Sequence, residues 1–178
     1  MKTVLIVLNR WTEKLEMTVV IAGVLLMMVN SVVNATGRYL FNHSFFFAEE
    51  LNQFLIVFVT FVGFAYAVRK GRNIRMTAVY DTLNFKVKKF LVTFISLLTA
   101  LLMGYLAYLA VLYVVEIKDL NRLSSALQLP VYVVYCIIPV GFFMAALQYT
   151  CAFLMNISHR EIYLSFDTVE SDTEQVVL

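Results

Sequence analysis

Charged residues are absent from four long, mostly apolar stretches of the chain, residues 17–37, 51–68, 90–115 and 123–159. Since about 20 apolar residues of α-helix cross a bilayer core about 30 Å thick, the first three stretches each fit one crossing. The fourth begins with a polar segment that is typical of a loop, and Pro130 then marks a helix start. Pro139 is expected to kink the helix that follows. We therefore predict four transmembrane helices, over about residues 15–37, 51–68, 90–115 and 131–157.

The composition agrees with a chain that has lipid as its solvent. Of the 178 residues, 61% are hydrophobic and 15% are charged, and the mean hydropathy is +0.81. A soluble domain has about 45–50% apolar and about 25% charged residues. The 15 Phe, 10 Tyr and 8 Met side chains are too many to bury in so small a globule. These numbers exclude a soluble enzyme, a disordered protein and a nucleic-acid-binding protein, and they predict an all-α integral membrane fold.

The first apolar stretch superficially resembles a secretory signal, because three basic residues precede it. The apolar region of a signal peptide has about 7–15 residues, whereas this one is longer and has Glu13 and Glu16 in its flank. We expect it to be a retained helix. Trp11 is predicted to anchor that helix at the membrane surface, where Trp is enriched.

Basic residues are distributed unevenly between the loops of this predicted topology. Three precede the first helix, seven lie between the second and third, and one follows the fourth, whereas the other two loops together carry three. Because Lys and Arg accumulate on the cytoplasmic side of short loops, the division predicts that both termini and the middle loop are cytoplasmic. Beyond Arg160 the chain has acidic residues and no further basic one, so we expect a mobile acidic tail over residues 161–178.

The middle loop has an apolar stripe at helical spacing. Met76, Val79 and Leu83 lie three or four positions apart, and most polar residues occupy the other positions. The pattern over about residues 74–88 is typical of an amphipathic helix in the headgroup layer, with these three side chains as interfacial anchors. The alternative is that the segment extends the third transmembrane helix into the cytoplasm.

The inventory of reactive side chains argues against catalysis. The chain has two histidines and two cysteines, none in a spacing that binds zinc or haem, and no catalytic or phosphate-binding motif. We therefore predict that the chain is not an enzyme and holds no metal or other cofactor. The charge-free stretches also lack Lys, Arg, Asp and Glu, and ionisable groups inside a membrane span mark ion and proton paths. A stand-alone homo-oligomeric four-helix transporter or channel is the alternative hypothesis.

Polar side chains line one face of the first predicted helix. Asn30, Asn34 and Arg38 recur every four residues, and amides are costly to expose to lipid. That face should contact protein, either another helix of this chain or a partner subunit. In the second helix, Gly63 is a small residue of the kind that permits close helix approach. These four residues are candidate partner contacts.

An acidic pair, Glu49 and Glu50, stands at the start of the second predicted helix. Acidic side chains at a helix N-terminus are favoured by the helix dipole, by about 0.3–1 kcal/mol, which is a purely structural explanation. The functional alternative is that one glutamate forms an ion pair with Arg38, within the chain or across a subunit boundary. The short loop between the two helices holds these groups near the same membrane surface.

Four segments in a fixed order carry a resemblance to a known family. Arg-Tyr-Leu-Phe-Asn at 38–42 is followed by Ala-Glu-Glu-Leu at 48–51, by Phe-Val-Gly-Phe-Ala-Tyr-Ala-Val-Arg-Lys-Gly at 61–71, and by Ile-Arg-Met at 74–76. Together they resemble the small membrane subunit, of the DctQ or SiaQ type, of tripartite ATP-independent periplasmic (TRAP) transporters. The four-helix layout extends the similarity over most of the chain.

The resemblance implies a multi-pass protein of the bacterial inner membrane that acts as a non-catalytic scaffold. Its expected partners are a large multi-span subunit that moves as an elevator, a periplasmic substrate-binding protein, and membrane lipids, with no nucleic acid. Import would be coupled to sodium, with Na⁺ bound in the large subunit, and the substrate would be an organic acid of the C4-dicarboxylate or sialic acid type. Arg38, Glu49 and Glu50 match the family's motif and are the expected contacts with partner subunits.

Overall fold

The computed structural model describes residues 2–42, 45–71, 83–158 and 162–163 of the chain. Within these ranges the chain forms five α-helices separated by turns and loops. The helices are α1 (Lys2–Phe41), α2 (Phe46–Arg69), α3 (Phe85–Asp119), α4 (Val131–Tyr135) and α5 (Ile137–Ser158).

Among the described residues, four segments are long and apolar enough to cross a membrane: Trp11–Leu40, Phe46–Arg69, Phe85–Asp119 and Val131–Ser158. The last of these is formed by α4 and α5 together. No strand occurs in the described ranges, and the predicted all-α fold with four membrane-crossing helices is confirmed. With 40 residues, α1 is about 60 Å long, so it extends well beyond a bilayer core of about 30 Å. The cytoplasmic location of the termini stays a prediction.

A break at Cys136 separates α4 from α5. Pro130 precedes α4 in an extended conformation, with φ −67° and ψ 117°, and the Cys136 N–H donates to the carbonyl of Tyr132 at 3.0 Å. Pro139 has no N–H, so it cannot donate to the carbonyl of Tyr135 four residues earlier. The interruption between α4 and α5 thus lies three residues before the proline, and a kink at Pro139 stays a prediction.

The described helices form two compact units, one of residues 1–63 and 109–141 and one of residues 64–108 and 142–178. In both units alanines make up much of the buried core, whereas many large apolar side chains are exposed. This distribution is expected where lipid surrounds the helices, because small residues let helix backbones approach closely. The buried alanines are Ala48, Ala65, Ala107, Ala110, Ala145 and Ala152.

Two glycines permit close helix approach within the first unit. A Cβ on Gly141 of α5 would lie 2.9 Å from the backbone oxygen of Phe61 in α2. A Cβ on Gly23 of α1 would lie 2.6 Å from Cγ2 of Val59, which is also in α2. The Gly141 contact is the stricter one, since a backbone oxygen cannot rotate away as a side chain can. Both α1 and α5 thus lie against α2 at glycines.

In the second unit, Asn156 ties the chain that follows α5 back to the helix. Its side chain is 1% exposed, and Nδ2 donates to the carbonyls of Tyr163 at 2.7 Å and Ala152 at 2.9 Å. Oδ1 accepts the Tyr163 N–H at 2.9 Å, and Ile162 is buried. These two residues of the predicted mobile tail are therefore held in place, and the rest of the tail lies outside the described residues.

The predicted interfacial segments are described only in part. Met76 and Val79 lie outside the described residues. Leu83 is partly buried and lies just before α3, and residues 85–88 belong to α3. Both alternatives for the segment stay predictions, since most of it lies outside the described residues. Trp11 in α1 is 67% exposed, which leaves it accessible to a membrane surface.

Replacement of Gly141 by Ala is expected to lower the stability of the protein. The new Cβ would meet the backbone oxygen of Phe61, and overpacking of this kind costs about 1–3 kcal/mol. Thermal unfolding of the purified protein in detergent measures the effect. The matched control is Gly104→Ala in α3, where a Cβ meets no heavy atom within 4 Å and Ala favours the helix by about 1 kcal/mol. Equal melting temperatures for the two variants would contradict the close approach.

Candidate partner-binding surface

A network of polar side chains joins α1 to the start of α2 within the first unit. Asn30 Nδ2 donates to Asn52 Oδ1 and to the carbonyl of Ala48, both at 2.8 Å. Asn52 Nδ2 in turn donates to Ser31 Oγ at 3.0 Å. In a bilayer each such bond contributes about 1 kcal/mol. The network therefore fixes the register between the two helices.

Asn34, the second amide on the polar face of α1, lies close to the start of α2. Asn34 Oδ1 accepts the backbone N–H of Phe45 at 3.0 Å, one residue before α2 begins. The first N–H groups of a helix have no partner within the helix, so a side-chain acceptor at this point stabilises the helix start. The polar face of α1 was predicted to contact either this chain or a partner subunit. Asn30 and Asn34 are found to contact other parts of the same chain. Their contact with a partner subunit stays a prediction.

Glu50, in the first turns of α2, holds the loop between α3 and α4. Its carboxylate accepts the hydroxyl of Ser124, the N–H of Ala126 at 2.9 Å and the N–H of Leu127 at 3.0 Å. Ser124 is buried, at 6% exposure. Hydrogen bonds to an ionised acceptor are shorter and stronger than those between neutral groups. One carboxylate on α2 therefore orders a loop from a distant part of the sequence.

The loop itself is a compact turn whose ends are joined. The N–H of Ser124 donates to the carbonyl of Leu129 at 2.9 Å, and the N–H of Val131 donates to the carbonyl of Arg122 at 3.1 Å. Gln128 has φ 53°, a left-handed conformation that turns the chain sharply. This closure directs the N–H groups at the tip of the loop towards the Glu50 carboxylate.

Arg38 and Glu49 are exposed and take no part in these bonds. Among the residues that the structure describes, Arg38 forms no ion pair with Glu49 or Glu50. The ion pair predicted as one alternative is therefore not found among the described residues, and the Glu50 carboxylate is bound by the loop instead. A pair across a subunit boundary stays a prediction, for which Arg38 and Glu49 are accessible.

Gly63 lies against α1 in the first unit. A Cβ at this position would be 3.7 Å from Cγ2 of Val20, an ordinary van der Waals distance. Gly63 therefore packs against another helix of the same chain. Its contact with a partner subunit stays a prediction. In the described part of the chain, no cluster of three or more His, Cys, Asp or Glu could hold a metal ion.

Several residues of this region were not identified from the sequence as site residues. The sequence predicts a loop at Ser124, Ala126 and Leu127, and nothing in their pattern indicates a carboxylate partner. Ser31 and Asn52 are polar residues inside apolar stretches, which is the signal that could have drawn attention to them, because such groups need a partner in a bilayer.

Comparison with known proteins gives two consistent matches. The family model described as "Tripartite ATP-independent periplasmic transporters, DctQ component" matches residues 27–159. The ectoine TRAP transporter small permease protein TeaB of Halomonas elongata is 41% identical over 167 residues, which is 93% of this chain and 86% of the relative. The matched region includes the amide network, Glu50 and the loop that Glu50 holds.

Replacement of Asn52 by Leu is expected to destabilise the isolated protein by about 1–2 kcal/mol. The change removes its bonds to Asn30 and Ser31, each of which contributes about 1 kcal/mol. Thermal unfolding in detergent is the measurement. The adjacent Gln53→Leu is the control, since Gln53 is exposed and makes no hydrogen bond among the described residues. A melting temperature that falls equally in both variants would show that the network does not stabilise the chain.

Replacement of Glu50 by Gln is expected to loosen the loop that it holds. A neutral amide offers one acceptor oxygen in place of two and lacks the charge, so the N–H groups of Ala126 and Leu127 should exchange with solvent about tenfold faster. Hydrogen exchange of the loop peptide, followed by mass spectrometry, measures this. Glu49→Gln should leave the rate unchanged, and the assignment is wrong if both variants exchange like the wild type.

Proposed function

Because the chain belongs to the family of DctQ components of tripartite ATP-independent periplasmic transporters, we propose that it acts as the scaffold that braces the large permease subunit during transport. Small permease subunits of this family work with a large permease and a periplasmic binding protein in the inner membrane, and they are not enzymes. The chain is thus a small TRAP permease subunit, and the scaffold role is what we propose in addition.

The observation that supports the scaffold proposal is that these polar side chains form hydrogen bonds within the chain. Asn30 and Asn52 join α1 to α2, Asn34 accepts a backbone N–H just before α2, and Glu50 bonds to the loop between α3 and α4. A side chain that fixes one arrangement of helices is unsuited to line a path that opens and closes. The charge-free stretches add no Asp, Glu, Lys or Arg that could carry ions or protons. These features favour a rigid support over a moving transport element.

Sodium coupling and the substrate class are further parts of the proposal. We place Na⁺ and the substrate in the large subunit, because the polar groups described above are engaged within this chain. The candidate substrates were C4-dicarboxylates and sialic acid, and the name of the Halomonas relative adds ectoine. All of these carry a carboxylate, so the proposed cargo is a small carboxylate-bearing solute that the binding protein delivers.

Reconstitution in proteoliposomes tests this function. The chain, its large subunit and the binding protein are incorporated together, and uptake of labelled succinate, sialic acid and ectoine is measured with an inward sodium gradient. We expect uptake of one of these by the complete system, none by this chain alone, and a loss of uptake when the gradient is removed.

Two results would overturn the proposal. Flux through liposomes that contain this chain alone would favour the homo-oligomeric transporter or channel. Full uptake by the large subunit and binding protein without this chain would exclude a required scaffold. Uptake that persists without sodium would contradict the coupling and leave the scaffold role in place.

A further inference from the structure

The part of α2 that belongs to the first unit has a single open stripe. Between residues 48 and 63, only four positions are exposed, and every other position is partly or fully buried. The exposed residues are Glu49, Gln53, Ile56 and Thr60. At 100° per residue these four fall within an arc of about 60°, and they extend about 16 Å along the helix. We call them the α2 stripe.

The α2 stripe is polar where a lipid-facing surface should be apolar. Exposed positions on α1 and α3 are largely Leu, Val, Ile, Phe and Tyr, which lipid accommodates. Three of the four stripe residues carry a charge, an amide or a hydroxyl instead. Thr60 lies near the middle of the membrane-crossing segment Phe46–Arg69, where an exposed polar group is most costly.

The polar groups of the stripe have no hydrogen-bond partner among the described residues. Gln53 and Thr60 make none. Three other helical threonines differ from Thr60, because each donates to the carbonyl four residues earlier at 2.7–2.8 Å. These are Thr36, Thr93 and Thr150. Asn52, next to Gln53, is bonded within the chain, so the contrast is between two faces of one helix.

We infer that the α2 stripe is a contact surface for a transmembrane helix of the large permease subunit. The occupant must present hydrogen-bonding side chains at the depths of Gln53 and Thr60, and an apolar side chain opposite Ile56. At the membrane surface it must present a Lys or Arg to the exposed Glu49 carboxylate. Lipid tails satisfy none of the polar requirements. The inference rests on the proposed function, since it takes the large subunit as the neighbour in the membrane.

Co-purification tests the hydrogen bonds of the stripe. The tagged chain is co-expressed with its large subunit, extracted in mild detergent, and compared with the double variant Gln53→Leu, Thr60→Val. Loss of two bonds in the membrane should weaken the association about tenfold and lower the recovery of the large subunit accordingly. The control is Thr150→Val, because Thr150 is exposed in α5 and its hydroxyl is bonded within its own helix.

Failure of this contact surface and failure of the proposed function give different results. Wild-type recovery of the large subunit with the double variant would overturn the inference and leave the proposed function intact. If the wild-type chain itself recovers no large subunit, the proposed function fails, and the inference fails with it. Thermal unfolding of the isolated double variant should match the wild type, which excludes a folding defect as the cause of lost association.

Photo-crosslinking identifies the occupant directly. The photoreactive residue p-benzoylphenylalanine is placed at Ile56, which is 53% exposed, so that Gln53 and Thr60 stay intact. Irradiation of intact cells should give a product that contains this chain and the large subunit. A product that contains two copies of this chain would mean that the stripe is a homo-oligomer contact. The absence of any protein product, in cells where the complex co-purifies, would mean that it faces lipid.

Discussion

A polar group in the hydrocarbon core of a membrane has no water to bond, so it must be satisfied by protein or remain costly. This requirement explains the positions of the polar side chains in α1 and α2. Asn30 and Asn52 bond to each other, and Asn34 bonds to the backbone just before α2. Gln53 and Thr60 make no hydrogen bond among the described residues, and they lie together on one open stripe of α2. The same rule that holds the chain together thus indicates where it is incomplete.

Association of helices in lipid depends on close packing, because burial of apolar side chains gains little when lipid is equally apolar. The buried residues are accordingly alanines to a large extent, and Gly141 brings α5 against the backbone of Phe61 in α2. Gly23 does the same for α1 at Val59. Close approach and side-chain hydrogen bonds support each other, since Asn30 reaches Asn52 only because α1 and α2 lie near one another.

The sequence predicts the four crossings well, because an ionisable residue in a bilayer core is expensive and the charge-free stretches mark each helix. The spacing of Asn30 and Asn34 also indicates a face that must meet protein. It does not indicate which protein, since the register between two helices depends on where glycines let them touch. The contact between Glu50 and Ser124 joins residues 74 positions apart, and no local pattern encodes it. The predicted pair between Arg38 and a glutamate rested on charge and on the short loop between them, whereas within the chain three donors of a more distant loop bind the Glu50 carboxylate.

A chain whose polar groups maintain its own architecture places few constraints on what the complex carries. In the proposed scaffold role, Asn30, Asn52 and Glu50 would be needed whatever solute is imported, because their bonds end within the chain. Identity to a small permease named for ectoine therefore informs on fold and assembly more than on substrate. The polar groups of the α2 stripe are constrained differently, because in the proposed contact they must match the groups of a neighbouring helix. Among paired subunits, substitutions at Gln53 and Thr60 should accordingly follow changes in the facing helix and not changes in cargo.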